Sequence, residues 1–251
     1  MPTTVETLRD ALVKARRERS LAGIAPLPVP ETLTEGHAVQ AAVGAALGLA
    51  EAGWKVAIAA DGTPVAGLMP GPWLEPADVY EGAAGAELRI EIEIGLRLSR
   101  DVPLRPGRPW SRAEFIACCD KAFLGIEIIE SRLADWSGKV AFPLWLADAM
   151  GHGGYLVGPE IDIAALDDPS RLGCFISLNG ETLYDRPAVH GNGDPMVPVL
   201  AWANRAGDDL GSLRAGQIVT TGSLCGGVLA PGKGEVVARL SPLAAVTLTL
   251  R

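Results

Sequence analysis

The sequence predicts an α+β protein, a mixed sheet rolled toward a barrel with a small helical part at the N-terminus. Many short β-type runs separated by Gly/Pro turns predict the sheet, and only a few stretches carry helical periodicity. The two kinds of element do not alternate regularly, which sets α+β apart from a β-α-β wound sheet. At 251 residues, 48% of them apolar, the chain is long enough to bury a sizeable core as one large domain or one domain with an appendage.

Thr3 and Glu6 have the spacing of a capping box, and Val5, Leu8, Leu12 and Ala15 follow on one helical face. Arg16–Arg19 end that helix in charge, and Pro26, Pro28 and Pro30 make a stiff connector. A second helix is expected from Thr34 to Glu51, Ala- and Gly-rich, with His37 in its first turn read as an exposed or core-edge residue. Gly53–Ala59 reads as a short buried strand containing Lys55, which must snorkel or find an anionic partner. The Pro-rich loop Met69–Ala77 marks a boundary between an N-terminal helical part, residues 1–75, and a main domain, 76–251.

Leu88–Leu98 alternates Leu or Ile with Arg89, Glu91, Glu93, Gly95 and Arg97, so it is a strand with one apolar and one polar face. Ser111 and Glu114 form a second capping box, and a helix is expected from about Arg112 to Phe123. Gly125–Glu130 reads as a strand with Glu127 among isoleucines, followed by a polar stretch with Glu130, Arg132 and Asp135 closed by Trp136. Pro143–Met150 is expected to be a short helix, Gly151–Gly154 a flexible loop, and Tyr155 the start of a strand. Asn179-Gly180 is a hairpin turn between Phe175–Leu178 and Glu181–Tyr184. A helix follows from Pro195 to about Arg205, and Gln217–Gly222, Glu235–Leu240 and Ala245–Leu250 read as closing strands.

Several functional classes are excluded on composition. A formal charge of −8 without a basic patch interleaved with aromatics argues against nucleic-acid binding. The most apolar stretch, Ala38–Ala50, is too short to span a bilayer, and no secretory signal is visible. Cys118, Cys119, Cys174 and Cys225 lack CxxC spacing, so neither a disulfide framework nor a zinc site is expected and a reducing cytoplasm fits. Gly227–Gly234 nearly matches a phosphate-binding P-loop, but Gly234 stands where a hydroxyl should hold magnesium, so it reads as a turn.

The carboxylates carry the chemistry. Glu91 and Glu93 share one strand face, which reads either as a solvated surface or, with Glu127, as an oxygen site for a hard divalent cation. Such a site would leave coordination positions for a chelating substrate.

Glu91-Ile-Glu93 and Ile126–Trp136 (Ile-Glu-Ile-Ile-Glu-Ser-Arg-Leu-Ala-Asp-Trp) resemble the signature of the 2-keto-4-pentenoate hydratase group of the fumarylacetoacetate hydrolase superfamily. His37–Gln40, Gly53–Val56, Gly193–Met196, Ala201–Asn204 and Leu213–Ser223 extend the likeness in collinear order over nearly the whole chain. The resemblance implies a fumarylacetoacetate hydrolase-like catalytic domain and a Mg²⁺ or Mn²⁺ site at Glu91, Glu93 and Glu127. It further implies an active-site lysine at Lys55, and Glu130 and Arg132 as residues positioning Glu127 from behind. The implied activity is a hydratase (lyase) adding water to a 2-hydroxy-2,4-dienoate or 2-oxo-4-enoate acid through a metal-chelated enolate. An oxalocrotonate-type decarboxylase, an acylpyruvate C–C hydrolase or a non-catalytic metal-binding assembly subunit are the alternatives. The implied partners are a small anionic 2-oxo acid and further copies of the chain in a homo-oligomer. The chain departs from the family at Ala149–Gly153, where a Ser-Ser pair is lost and His152 stands in the second place. His152 reads as a general acid/base or as a residue merely tolerated in a glycine loop.

Overall fold

The computed structural model describes residues 2–134, 140–207 and 210–251; Asp135 and Trp136, expected to close the polar stretch, lie outside them. Both capping boxes form, and they start α1 (Thr4–Glu18) and α3 (Arg112–Ile116). α2 (Leu33–Leu47) is capped by Thr32 and stops at Gly48, whose φ of 63° only glycine adopts without cost. Two further short helices are α4 (Phe142–Ala147) and α5 (Met196–Ala203).

Seven strands build the larger sheet: β1 (Gly53–Ile58), β2 (Pro64–Met69), β4 (Leu88–Leu98), β5 (Cys119–Ile129), β6 (His152–Ile161), β9 (Ile218–Thr220) and β10 (Val228–Ala230). Their order is β2-β1-β9-β4-β5-β6, with β10 also paired to β4. A second sheet runs β3-β12-β11-β7-β8, from β3 (Val79–Tyr80), β7 (Gly173–Leu178), β8 (Glu181–Pro187), β11 (Gly234–Ser241) and β12 (Ala244–Leu250). The α+β mixture is as expected, although among the described residues the sheets pack face to face and do not close into a barrel. β1 and β2, which precede residue 75, join the same sheet as β4 through β9, so the larger sheet draws on both sides of the Pro-rich loop.

The period of two in β4 decides where everything goes. Ile90, Ile92, Ile94 and Leu96 point into one core with Leu124, Ile126 and Ile128 of β5, and meet Ile176, Val236, Leu240 and Leu248 of the second sheet. The opposite face of the larger sheet carries Glu91, Glu93 and Gly95 of β4 beside Glu127 and Gly125 of β5, Tyr155 of β6, Thr220 of β9 and Lys55 of β1. α1 and α2 form a separate apolar layer with Leu133, Leu144 and Ala147, next to that polar face. No helix among the described residues is long and apolar enough to cross a membrane.

Two expected elements differ. The helix expected to reach Phe123 ends at Ile116, because β4 needs a partner along its full length and β5 pairs from Cys119, opposite Leu98. Helix propensity loses there to sheet pairing. The glycine loop expected at 151–154 is instead largely strand: β6 begins at His152, which pairs with Ile129. The Asn179-Gly180 hairpin forms as expected, with φ of 51° and 83° at its two turn residues.

Candidate metal and acid-binding site

Glu91 and Glu127 are direct cross-strand partners, and Glu93 faces Gly125 one step along the same face. One oxygen from each of the three carboxylates lies within 4.8 Å of the others. Glu93 and Glu127 are buried, and Oε2 of each is enclosed without a hydrogen-bond partner among the described residues. Burial raises the Glu91 pKa to about 7, with Glu127 adding repulsion against the pull of Lys55 and Arg89. Glu93 is raised well above the ordinary carboxylate range by the same burial, Glu127 and Glu91. Three hard oxygen ligands, two orphaned lone-pair sites and surplus negative charge fit a divalent cation, which would relieve all three costs at once.

Lys55 answers part of that charge. It projects from β1 with its Nζ 2.8 Å from Glu127 Oε1, and it also donates to the Met150 carbonyl at 3.3 Å. Burial works against its charge, but Glu127, Glu91 and Glu93 outweigh burial and raise its pKa, so the lysine is protonated. Glycine at 67 is required beside it, since a Cβ there would stand 2.6 Å from the Ala149 carbonyl oxygen and 2.9 Å from Lys55 Cγ.

His152 Nδ1 lies 3.0 Å from the same Glu127 oxygen. Burial is the main cause lowering the His152 pKa, while burial's opposite pull on Glu127 is outweighed by Lys55 and His152, so the carboxylate ionises below its ordinary range. A neutral imidazole against a carboxylate must carry its proton on Nδ1 and donate it. His152 is buried and, like Glu127, is not among the residues lining the cavity over Glu91 and Glu93.

The residues after β5 diverge. Glu130 lies one residue beyond the strand and turns away from Glu127, accepting from the Tyr80 hydroxyl and from the Ala83 N–H at 2.7 Å. Arg132 donates to Asp148 Oδ1 at 2.9 Å and to the His152 carbonyl at 2.8 Å, so it reaches Glu127 only through His152. Asp148, which the sequence did not single out, is the hub: it also accepts from Ser131 Oγ at 2.9 Å and Arg132 N at 2.7 Å. It anchors a turn in which Ala149, Met150 and Gly151 all have positive φ, 52°, 52° and 71°. A non-glycine residue in that region costs about 1–2 kcal/mol, and here the turn aims the Met150 carbonyl at Lys55.

Between β9 and β10 the chain stays on the edge of β4, the Thr221 and Leu224 N–H groups donating to the Ile94 and Ile92 carbonyls at 3.1 and 2.8 Å, and Gly222, Ser223 and Gly227 line a cavity of about 400 Å³ over Glu91 and Glu93. Lys55, Glu91, Glu93, Thr220 and Ser223 give it a polar floor, Phe142, Trp145 and Met150 an apolar wall, and Arg89 also lines it. Arg89 bonds Glu87 at 2.8 Å and the Gly227 carbonyl at 3.3 Å, while Arg97 pairs with Asp120 away from the site.

No family model matches the chain. A 2-keto-4-pentenoate hydratase of Paraburkholderia xenovorans (strain LB400) is 32% identical over 149 residues, 59% of this chain and 53% of the relative. One of Burkholderia vietnamiensis (strain G4 / LMG 22486) is 27% identical over 64% of this chain and 60% of its own. The chain thus spans about half the length of the first of these curated relatives. Among solved structures, 4-oxalocrotonate decarboxylase from Pseudomonas putida G7, complexed with magnesium and adipate, superposes with a TM-score of 0.82 at 20% identity, over 100% of this chain and 99% of that one. Fumarylpyruvate hydrolase from Pseudomonas aeruginosa, in complex with Mn²⁺ and pyruvate, gives a TM-score of 0.53 at 12% identity over 74% of this chain and 78% of its own. The chain is related in sequence to the 2-keto-4-pentenoate hydratases and has the fold of the fumarylacetoacetate hydrolase-like proteins.

Proposed function

We propose that the protein is a divalent-metal-dependent lyase, a hydratase acting on a small 2-hydroxy-2,4-dienoate or 2-oxo-4-enoate acid. The observation that carries this reading is the convergence of Glu91, Glu93 and the buried Glu127 with a protonated Lys55, of which Lys55, Glu91 and Glu93 line one cavity. The names of the curated relatives point to the substrate class, and the neighbours holding magnesium or Mn²⁺ beside a small acid support the metal.

Glu91, Glu93 and Glu127 would hold Mg²⁺ or Mn²⁺, which when bound supplies Lewis acidity toward a 2-keto oxygen. Lys55 would hold the substrate carboxylate and deliver a proton within hydrogen-bond reach. His152 would keep Glu127 ionised and oriented, and Arg132 would keep His152 in place. Phe142, Trp145 and Met150 would pack on the carbon chain and limit water to the one that adds. Arg89 would draw an anion toward a protein of formal charge −8.

The test is calorimetric titration of Mn²⁺ with and without oxalate, followed by the ultraviolet absorbance of 2-hydroxypenta-2,4-dienoate. Saturable Mn²⁺ binding, tighter oxalate binding with metal, and metal-dependent loss of dienoate absorbance are expected. No Mn²⁺ binding would overturn the reading. Metal and oxalate binding with an inert dienoate would turn it toward the decarboxylase or hydrolase, or toward a metal-binding subunit without catalysis.

A further inference from the structure

The Tyr155 hydroxyl is buried without a hydrogen-bond partner among the described residues, an arrangement a phenylalanine would avoid while filling the same slot. The surroundings fix it there. Trp73 and Phe123 meet the ring edge-on, with centroids 6.0 and 6.3 Å away. Gly95 and Gly125 leave the space: a Cβ at 95 would stand 2.8 Å from the phenol oxygen, and one at 125 would overlap it. Tyr155 is the cross-strand partner of Glu127, and Gly125 is that of Glu93. A phenol leaning over Gly125 therefore lies alongside both carboxylates, each of which has an enclosed oxygen without a partner. Glu127 already receives Lys55 and His152 on its other oxygen. Glu93 has the Thr220 side chain beside it, and its enclosed Oε2 still lacks a donor among the described residues.

Resting on the metal-site reading above, we infer that Tyr155 is a positioning residue for the metal ligands, its hydroxyl turning to donate to the Glu93 carboxylate when a cation is bound and fixing which oxygen Glu93 presents to it. A phenol is a donor at neutral pH, and a carboxylate ligand keeps its geometry through the hydrogen bond on its other oxygen. The glycines at 95 and 125 belong to the same device, since they are what lets the phenol reach the row of acids.

The experiment is Mn²⁺ titration of the wild type and Tyr155→Phe by calorimetry, with the electron paramagnetic resonance spectrum of bound Mn²⁺ and thermal unfolding of both metal-free proteins. The Mn²⁺ Kd of Tyr155→Phe should rise roughly 10-fold or more, the Mn²⁺ line shape should change, and the metal-free Tm should be equal or higher. Unchanged affinity and line shape would overturn the inference, as would a lower metal-free Tm with unchanged affinity, the mark of a purely structural hydroxyl. A wild type that binds no Mn²⁺ overturns the metal-site reading first and this inference with it. That result is distinct from metal binding indifferent to the Tyr155→Phe change.

Discussion

Lys55 and His152 meet on one oxygen: Nζ of the lysine is 2.8 Å and Nδ1 of the histidine 3.0 Å from Glu127 Oε1. Both donors are drawn to the same lone pairs, and Glu127 Oε2 is left without a partner among the described residues. The carboxylate is thus held ionised through one oxygen while the other is enclosed without a donor. The two donors differ in where they stand, Lys55 lining the cavity and His152 buried away from its lining.

That difference separates their variants. Lys55→Met should lower turnover of the dienoate by at least about 100-fold, the scale of a lost proton donor. It should bind Mn²⁺ as tightly as the wild type or more tightly, because a competing cation leaves the ligand set. Calorimetry and a rate measurement on the same sample check both halves.

His152→Ala should act in the opposite sense on the metal. Removing the donor that orients Glu127 is expected to weaken Mn²⁺ roughly 10- to 100-fold. Turnover at saturating Mn²⁺ should recover most of its wild-type value, whereas a proton-transfer role would leave it depressed at any Mn²⁺ concentration.

The raised Glu91 pKa gives a pH test with a definite sign. With a folded value of about 7 against an ordinary 4.5, the acid stays protonated in the metal-free fold after the unfolded chain has lost its proton. Its contribution to stability is full below 4.5 and is lost as pH rises through about 7. Metal-free wild type should therefore lose stability relative to Glu91→Gln across that window, and saturating Mn²⁺ should reverse the loss. Urea unfolding on either side of the window measures it. Mn²⁺ affinity should rise over the same range with proton release, read from calorimetry in buffers of different ionisation enthalpy.

Asp148→Ala should be the most damaging change outside the ligand set. It strips the buried Arg132 of its partner and releases the anchor of the Ala149–Gly151 turn. Breaking one side of a buried ion pair costs about 3–5 kcal/mol, and denaturant unfolding should show a loss of that order. Asp148→Asn should lose less, since it keeps an acceptor for Ser131 or the Arg132 N–H.

The legible part of the site lay where period and charge coincide. Leu88–Leu98 displays both at once, so the strand, its core face and the two acids follow from one pattern, and Glu127 repeats it among isoleucines. Lys55 was legible as a lysine in an apolar strand that had to snorkel or find an anionic partner, and it meets Glu127. Glu130 was not, because it lies just past the end of β5, where alternation no longer sets which way a side chain turns. The Asp148 hub was hidden for a related reason: its partners lie 16 and 17 positions back in sequence, at Arg132 and Ser131, and meet it only through the turn. Nothing in Ala149 or Met150 announces a left-handed backbone, so the carbonyl that holds Lys55 could not be read in advance. The capping box at Ser111 marked where a helix begins but not where β4 would claim the chain for a strand.

The alternation in β4 and β5 has a consequence for assembly of the sheet itself. If β4 slid by one residue against β5, Glu91 and Glu93 would enter the space between the two sheets and the isoleucines would line the cavity. The same carboxylates therefore oppose every odd misalignment of these strands. A chain that finds this fold has brought the three acids together, and they serve as the key that selects the pairing of β4 with β5.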